Sequence, residues 1–277
     1  MCGILGIVHY GNSEIDYGLA GDIRNLTRRL LVEAQARGSH ASGICVLSND
    51  VASMFKLNVP ATVLINNDGY NKVIRHISQG RRFRAMIGHT RFETKGSRIY
   101  NVNNHPIKAN KVIGVHNGVI ANDDTLFDKY AGRIERAGRV DSEIIFRLID
   151  YHTSKGKSIV GAVIAAHEEM FGGYACAFIH RDWPDYLTIF TDSPPVPIFI
   201  FDKAKTMVFA STQPIIRSAM CIDSVIGNPR DADDLITVSH GGARINLNNG
   251  KIYEFALSQS YARPIGYQRH YMGYAEY

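Results

Sequence analysis

The sequence lacks the marks of several protein classes. No apolar run approaches the roughly 20 residues that a membrane-spanning helix needs. The first residues, MCGILGIVHYGNSE, contain no basic segment and only a short apolar stretch, so we expect no signal peptide. There are four cysteines, with no CxxC pair and no Cys/His group at zinc-ligand spacing. We therefore expect a cytoplasmic protein with no membrane partner, no metal and no other cofactor.

An excess of charge of one sign is also absent. The net charge is +5 and the isoelectric point is about 9.0. The densest basic clusters, Arg28-Arg29 and Arg81-Arg82-Phe83-Arg84, are short and lie far apart in sequence. Such clusters are more typical of solvated faces than of a nucleic-acid-binding surface, so nucleic acid is not expected as a partner. A chain of 277 residues can bury a core in one large domain or in two small ones.

Hydrophobic periodicity predicts both helices and strands. The predicted helices cover residues 17–36, 71–79, 123–137, 142–152 and 159–171. The predicted strands cover residues 1–10, 43–47, 85–88, 112–115, 174–180, 187–191, 198–201, 207–210, 235–239, 243–246 and 252–255. Asn248-Asn249-Gly250 is typical of a hairpin turn between the last two strands. Strands, then helices, then strands predict an α+β domain with layered sheets.

The N-terminal sequence Met1-Cys2-Gly3 can supply a nucleophile and a base on one residue. Removal of Met1 is sterically easy before a residue as small as cysteine, and it leaves Cys2 with a thiol and a free α-amine. An α-amine has a pKa of about 7.7–8.0, so it can accept the thiol proton near neutral pH. A cysteine at position 2 also occurs by chance. Cys45 and Cys176, by contrast, lie in apolar runs and are expected in the core.

Further sequence blocks give the N-terminal cysteine its context. After Cys-Gly-Ile-Leu-Gly-Ile they are, in order, Arg37-Gly-Ser-His-Ala-Ser-Gly43, Gly88-His-Thr-Arg-Phe-Glu-Thr-Lys-Gly96, Asn103-Asn-His-Pro106, Val115-His-Asn-Gly-Val-Ile-Ala-Asn122 and Val140-Asp-Ser-Glu143. In this order they resemble the glutaminase domain of class II glutamine amidotransferases, the N-terminal-nucleophile (Ntn) hydrolase family. The His-Thr-Arg block is most similar to hexosamine-phosphate synthase and amidophosphoribosyltransferase. The resemblance implies an enzyme with a four-layer αββα sandwich of two mainly antiparallel sheets.

The resemblance also implies catalytic roles. Cys2 matches the nucleophile that attacks the side-chain amide of L-glutamine, which releases ammonia and leaves a glutamyl thioester that is hydrolysed to glutamate. Asn117 and Gly118 match the oxyanion hole, through a side-chain amide and a backbone N–H. Arg37 matches an arginine that organises the amino terminus of the nucleophile.

Four further residues match substrate contacts. Arg91 corresponds to the partner of the glutamine α-carboxylate, Thr94 to a residue that helps to hold this carboxylate, and Asp141 to the acceptor of the α-ammonium group. The family often has Trp-Ala-Thr-His-Gly after the arginine; here Lys95 could add a point charge for the carboxylate. His40 stands where the family usually has an acidic residue. We expect structural rather than chemical roles for His89, His116 and, before a proline, His105.

The resemblance covers residues 1–256 and leaves a C-terminal tail, residues 257–277. The tail combines tyrosines with two arginines, residue types that are enriched at interfaces: Tyr261, Arg263, Tyr267, Arg269, Tyr271, Tyr274 and Tyr277. Either the tail docks onto a separate synthase subunit that receives the ammonia, or it packs on its own domain. The partner of the chain is expected to be such a synthase subunit or further copies of the chain in a homo-oligomer. Two alternative functions stay open: an amidase of the same fold for another small amide, and a catalytically silent regulatory or scaffolding module.

Overall fold

The structure, a computed structural model, describes residues 1–220 and 224–258. In this part of the chain there are thirteen strands and seven α-helices. The strands are β1 Gly3–His9, β2 Ala41–Ser48, β3 Val51–Leu57, β4 Phe83–Arg91, β5 Ile107–Ala109, β6 Val112–Gly118, β7 Tyr174–His180, β8 Tyr186–Thr191, β9 Val196–Phe201, β10 Thr206–Ala210, β11 Asp234–Val238, β12 Gly241–Asn246 and β13 Ile252–Ala256. The helices are α1 Tyr17–Ala34, α2 Ala61–Leu64, α3 Asp68–Ile74, α4 Asp123–Lys129, α5 Ser142–Ser154, α6 Ile159–Glu169 and α7 Gln213–Ala219.

The strands form two antiparallel sheets. The first has the order β11-β9-β10-β1-β4-β2-β3, and the second has the order β13-β12-β8-β7-β6-β5. Strand β1 is central in the first sheet, between β10 and β4, and each of its seven residues is buried. Because one sheet covers it from one side and helices from the other, β1 is apolar on both faces.

Side-chain alternation along β1 shows how the layers stack. Ile4 and Val8 belong to a buried cluster made from the inner faces of the two sheets. Leu5 and Ile7 belong to a second cluster, which the first sheet forms with α1, α2, α3 and α7. A third cluster lies between the second sheet and α4, α5 and α6. The order of layers is therefore helix, sheet, sheet, helix, which confirms the predicted α+β class and four-layer αββα sandwich.

Helix α1 supports β1 from the outside. Asp16 caps its N-terminus by accepting a hydrogen bond of 2.8 Å from the backbone N–H of Leu19. The buried positions Ile23, Leu26 and Leu30 follow helical spacing and face the first sheet. After Ala34 the chain tightens into a 3₁₀ turn, Gln35–Arg37, which enters β2. This turn brings an arginine to the beginning of β1.

Most predicted elements are confirmed, but several boundaries and elements differ. The helix predicted over residues 123–137 is wrong in its second half, because α4 ends at Lys129 and the chain turns at Gly132 with a φ of +73°. Helix α3 begins and ends earlier than the prediction of 71–79. Strands β3 and β5 and helices α2 and α7 were not predicted. Residues 259–277 of the predicted tail lie outside the described residues, so its docking role stays a prediction.

Candidate active site

Three strand ends from both sheets meet at one edge of the sandwich. Gly3 at the start of β1 pairs with Thr90 near the end of β4, which places Cys2 beside Arg91. From the second sheet, β6 ends with Asn117 and Gly118. The ring Nε2 of His89 on β4 lies 2.8 Å from the carbonyl oxygen of His116 on β6, so the two sheets are in contact here.

Strand alternation directs three of the predicted residues into the gap between the sheets. Successive side chains of a strand point to opposite faces, so residues two or four positions apart share a face. Three predicted residues stand at such a distance from a side chain of the inter-sheet cluster: Cys2, Arg91 and Asn117. The corresponding cluster residues are Ile4 on β1, Ile87 on β4 and Val115 on β6. The sequence blocks that are far apart along the chain therefore converge in one gap.

The Cys2 thiol contacts the backbone just beyond β4. Its Sγ atom accepts a hydrogen bond from the N–H of Phe92 at 3.3 Å and lies 3.4 Å from the carbonyl oxygen of the same residue. Burial raises the pKa of this thiol, although the Phe92 backbone, the nearby amino terminus and Arg91 partly oppose the effect. A protonated thiol is a weak nucleophile, so chemistry at Cys2 needs a base that removes the proton.

Arg37 contacts the backbone of the same residue. Its Nε atom donates a hydrogen bond of 2.8 Å to the carbonyl oxygen of Cys2. Burial lowers the pKa of Arg37, and the proximity of Cys2 acts in the opposite direction. The guanidinium thus holds the first peptide group of β1, as expected for a residue that organises the amino terminus; the functional role itself stays a prediction.

Gly118 follows Asn117 in a conformation that needs glycine. Its φ is +144°, and a Cβ atom built on it would lie 2.1 Å from the carbonyl oxygen of Gly173. The side chain of Asn117 is buried, with 2% exposed, and it forms no hydrogen bond with any residue that the structure describes. An amide without an internal partner is free to donate to a ligand, which fits an oxyanion hole.

Arg91 is buried and already holds several protein acceptors. Its guanidinium donates to Oδ1 of Asn104 at 2.8 Å, to the carbonyl oxygen of Lys95 at 2.7 Å and to that of Gly96 at 2.5 Å. Burial lowers its pKa, and the neighbouring Cys2 thiol, Glu93 and Asp141 counteract this. Three of its five N–H groups are thus in use. The other two remain for a carboxylate, so a two-pronged contact through both terminal nitrogens is not available in this arrangement.

Asp141 immediately precedes α5 and is buried, with 2% exposed. Its Oδ2 accepts a hydrogen bond of 2.8 Å from the backbone N–H of Ile120, and Ser142 Oγ lies 3.5 Å from its Oδ1. Asp141 acts electrostatically on both Cys2 and Arg91. One carboxylate and one guanidinium therefore both act electrostatically on the Cys2 thiol.

The other two predicted substrate residues lie on the loop after β4. Thr94 is exposed. Lys95 directs its Nζ atom to Asp123, at 2.6 and 2.7 Å from the two carboxylate oxygens, and to Asp124 at 2.8 Å. Its charge is thus engaged with protein carboxylates, which argues against a direct bond to the substrate carboxylate.

His40, which stands where the family usually has an acidic residue, also contacts this loop. Nδ1 of His40 accepts a hydrogen bond of 2.9 Å from the N–H of Glu93. The ring of His40 stacks on that of Phe92, with 4.9 Å between the centroids. His40 therefore fixes the start of the loop after β4 without an acidic group.

Three histidines lie buried beneath the site. His89 stacks on His105 with 4.1 Å between ring centroids, and Nδ1 of His116 lies 2.7 Å from Oγ of Ser142. Burial lowers the pKa of His89 to about 3 and lowers those of His105 and His116 as well. Neutral, buried rings agree with the structural roles expected for them.

The described residues contain no group of three or more His, Cys, Asp or Glu side chains that could hold a metal ion. No helix among them is long and apolar enough to cross a membrane.

Comparison with known proteins places this geometry in context. No model of a protein family matches the chain. The glutamine–fructose-6-phosphate aminotransferase (isomerizing) of Staphylococcus aureus strain Mu50 is 26% identical over 200 residues, which are 71% of this chain and 30% of the relative. The enzyme of the same name from Staphylococcus epidermidis is 27% identical with the same coverage. The chain therefore spans about 30% of the length of the curated relatives that it matches.

Two solved structures share the fold. Glutamine phosphoribosylpyrophosphate amidotransferase from B. subtilis, in complex with ADP and GMP, superposes with a TM-score of 0.66 at 19% identity, over 93% of this chain and 50% of that one. A structure described as the allosteric regulatory enzyme of purine biosynthesis gives 0.68 at 17% identity, over 93% and 49%. The chain is similar to glutamine amidotransferases. It shares its fold with both of these solved structures.

The sequence alone did not identify several residues that shape the site. Asn104 lies in the block Asn103-Asn-His-Pro106, and the resemblance assigns it no role. Its Oδ1 nevertheless accepts a hydrogen bond from Arg91. Lys56, on the unpredicted strand β3, donates from Nζ to the carbonyl oxygens of Asn104 at 2.5 Å and Pro106 at 2.9 Å. Burial lowers its pKa to about 8. No sequence signal singles out Lys56, because its partners are backbone carbonyls about 50 residues away.

Proposed function

We propose that this domain hydrolyses the side-chain amide of L-glutamine to glutamate and ammonia through a thioester on Cys2. The observation that carries the proposal is the convergence of Cys2, Arg91, Asn117 and Asp141 at one edge of the sandwich. Glutamine appears in the names of the curated relatives and of one structural neighbour, which supports the same substrate for this domain.

The first half of the reaction forms the thioester. Removal of Met1 frees the α-amine of Cys2, which accepts the thiol proton. The thiolate then attacks the amide carbon of glutamine, a C–S bond forms and the carbonyl electrons move to oxygen. The amide of Asn117 and the N–H of Gly118 stabilise this oxyanion, and one such donor typically contributes a factor of about 10²–10³ in kcat.

The second half releases both products. As the oxyanion collapses, the C–N bond breaks and the protonated α-amine gives its proton to the leaving nitrogen, which departs as ammonia. Water, deprotonated by the same amine, attacks the thioester. The C–S bond breaks, glutamate leaves and the thiolate regains its proton, so Cys2 returns to its starting state.

Two opposite charges select a free amino acid. In this proposal an N–H group of Arg91 that no described residue occupies donates to the α-carboxylate, and Asp141 accepts from the α-ammonium group. An internal residue of a peptide carries neither charge. Thr94, on the exposed loop, is the remaining candidate contact to the carboxylate.

The test uses the full chain after removal of Met1. Glutamate release from glutamine is measured for the wild type and for Cys2→Ala, and both are treated with a glutamine-mimicking electrophile. The proposal predicts turnover and labelling of Cys2 in the wild type and neither in the variant. Labelling without glutamine turnover points instead to an amidase for another small amide. The absence of both, with Met1 shown to be removed, points to a catalytically silent module.

We further propose that the ammonia passes to a separate synthase partner. Six large apolar side chains on segments around the proposed site, the apolar rim, are 43–73% exposed: Phe92, Ile99, Tyr100, Val102, Val119 and Phe171. Exposed large apolar side chains that form a patch are typical of an interaction surface. The curated relatives, of which this chain matches only 30%, are aminotransferases, so their remaining length offers a model for such a partner.

Sedimentation of the wild type and of Phe171→Glu distinguishes the two kinds of partner. A dimer that the substitution converts to a monomer identifies the apolar rim as a contact between copies of this chain. A wild-type monomer is the result expected for a separate synthase partner. In that case a photo-crosslinking residue at position 171 should capture a protein that aminates its substrate with glutamine as the nitrogen source.

A further inference from the structure

The loop after β4, residues 92–98, forms one wall of the proposed site through its backbone. The N–H and the carbonyl group of Phe92 contact Sγ of Cys2. The carbonyl oxygens of Lys95 and Gly96 hold the guanidinium of Arg91 at 2.7 and 2.5 Å. This loop therefore contributes to the positions of both the thiol and the guanidinium.

The middle of the loop is next to the segment 136–139 and approaches its backbone closely at Gly96. A cavity of about 750 Å³ lies there, lined by Lys95, Gly96 and Ser97 on one side and by Arg136–Arg139 on another. None of these residues belongs to a buried hydrophobic cluster of the described structure. His40 holds the start of the loop, and Asn103 and Asn104 donate to the carbonyl oxygens of Ser97 and Arg98 at its end, both at 2.8 Å.

Ion pairs hold the middle of the loop, at Lys95. Nζ of Lys95 lies 2.6 Å from Oδ1 and 2.7 Å from Oδ2 of Asp123, and 2.8 Å from Asp124. Arg136 contacts the same two carboxylates, at 3.3 Å for Asp123 and 2.7 Å for Asp124. Asp123 is only 2% exposed, and a buried carboxylate requires a cation. We refer to these four residues as the charged clasp.

We infer that Lys95 is a positioning residue: through the charged clasp it fastens the 92–98 loop to the start of α4 and thereby closes the glutamine site. This inference rests on the proposed function for its kinetic part. It assigns Lys95 to the loop and not to the substrate. Removal of the ammonium group loosens the loop, so Arg91 and Phe92 lose their fixed positions while the chemical groups themselves stay intact.

The kinetic test compares three variants of the Met-processed chain. Lys95→Met removes the charge and keeps the length, Lys95→Arg restores the charge, and Lys111→Met breaks a similarly exposed ion pair with Asp182 at the opposite end of β6. One partly buried ion pair, with Asp123, and one exposed ion pair, with Asp124, hold Lys95. We therefore expect Lys95→Met to raise KM for glutamine about 5- to 20-fold with kcat within about twofold. Lys95→Arg should return KM to within about threefold of wild type, and Lys111→Met should leave it unchanged.

A second readout does not depend on glutamine. The rate at which iodoacetamide alkylates Cys2, measured by peptide mass spectrometry, reports how often the loop opens. Lys95→Met should raise this rate about fivefold, in proportion to the open population. Because salt screens exposed ion pairs, added salt should accelerate alkylation of the wild type and leave Lys95→Met almost unaffected.

The two readouts separate the two proposals. If the wild type does not turn over glutamine, the proposed function fails and the alkylation experiment alone decides the role of Lys95. If Lys95→Met folds normally and retains both the wild-type KM and the wild-type alkylation rate, Lys95 does not position the loop. A loss of kcat that Lys95→Arg does not restore also overturns the inference, since it indicates direct participation in the chemistry.

Discussion

Gly118 is the residue of the proposed site whose backbone permits the least change. Its φ of +144° is unfavourable for any residue with a Cβ atom, and the carbonyl oxygen of Gly173 occupies the space in which that atom would lie. Its N–H is one of the two proposed oxyanion donors. A side chain at position 118 would therefore both strain the backbone and displace a proposed catalytic N–H group.

We predict that Gly118→Ala lowers kcat for glutamine hydrolysis at least about 100-fold, because the displaced N–H no longer reaches the oxyanion. The measurement is steady-state glutamate release, combined with thermal unfolding to verify the fold. Gly156→Ala is the matched control: its φ is +88°, and no other atom lies within 4 Å of the added Cβ. If Gly118→Ala keeps wild-type kcat, Gly118 does not form the oxyanion hole.

At the scale of residues, sequence blocks indicated which side chains converge but not what holds them. Cys2, Arg91, Asn117 and Asp141 were chosen from the blocks, and the fold brings them to one edge of the sandwich. The acceptors of Arg91 and the pairing of Lys95 with Asp123 depend on side-chain conformations over long sequence distances. No local pattern encodes such contacts, so a lysine that suggested a substrate ligand contacts carboxylates of the protein instead.

At the scale of elements, β1 carries the nucleophile and depends on α1 for its support. Leu30 of α1 is fully buried in the cluster that also contains Leu5 and Ile7 of β1. The helix then leads into the turn that presents Arg37 to Cys2. Packing between α1 and β1 thus contributes both to stability and to the position of the amino terminus.

Leu30→Ala should therefore lower the free energy of unfolding by about 2–5 kcal/mol, the usual cost of a large cavity in a core. Urea denaturation followed by circular dichroism measures the change. Val63→Ala, at an exposed position of α2, is expected to change it by less than about 0.5 kcal/mol. A loss below about 1 kcal/mol for Leu30→Ala would show that α1 is not an important support of β1.

The errors in the predicted elements have local physical causes. Helix α7 was not predicted because it is short and contains Pro214; the proline lies in the first turn, where its missing N–H costs nothing. Strand β3 was missed because it is an edge strand of mixed polarity that is only partly buried. The central strands were predictable because burial on both faces gives them continuous apolar runs.

At the scale of the whole molecule, the buried histidines link stability to pH. Burial lowers the pKa of His89 to about 3 and also lowers those of His105 and His116 from 6.5. In the unfolded chain these rings bind protons at about pH 6.5. Below that pH the unfolded state binds more protons than the folded state, so acid favours unfolding. The stabilisation is complete above pH 6.5 and is lost as the pH falls toward the folded-state values.

We expect the free energy of unfolding to decrease below pH 6.5 by roughly 1.4 kcal/mol per pH unit for each histidine that remains neutral in the folded state. Urea titrations between pH 7.5 and 4.5 measure the slope. His105→Gln should reduce the slope, and Val63→Ala, which replaces an exposed side chain that does not titrate, should leave it unchanged. Equal slopes for the wild type and His105→Gln would exclude His105 as a source of the pH dependence.

The central claim is that the sulfur and the nitrogen of Cys2 act together, and one comparison tests it most directly. Preparations with and without Met1, each verified by intact mass, are assayed for glutamate release under the same conditions. The proposed mechanism predicts turnover only in the preparation that lacks Met1, because a peptide nitrogen cannot accept the thiol proton. Equal turnover by the preparation that retains Met1 would contradict it.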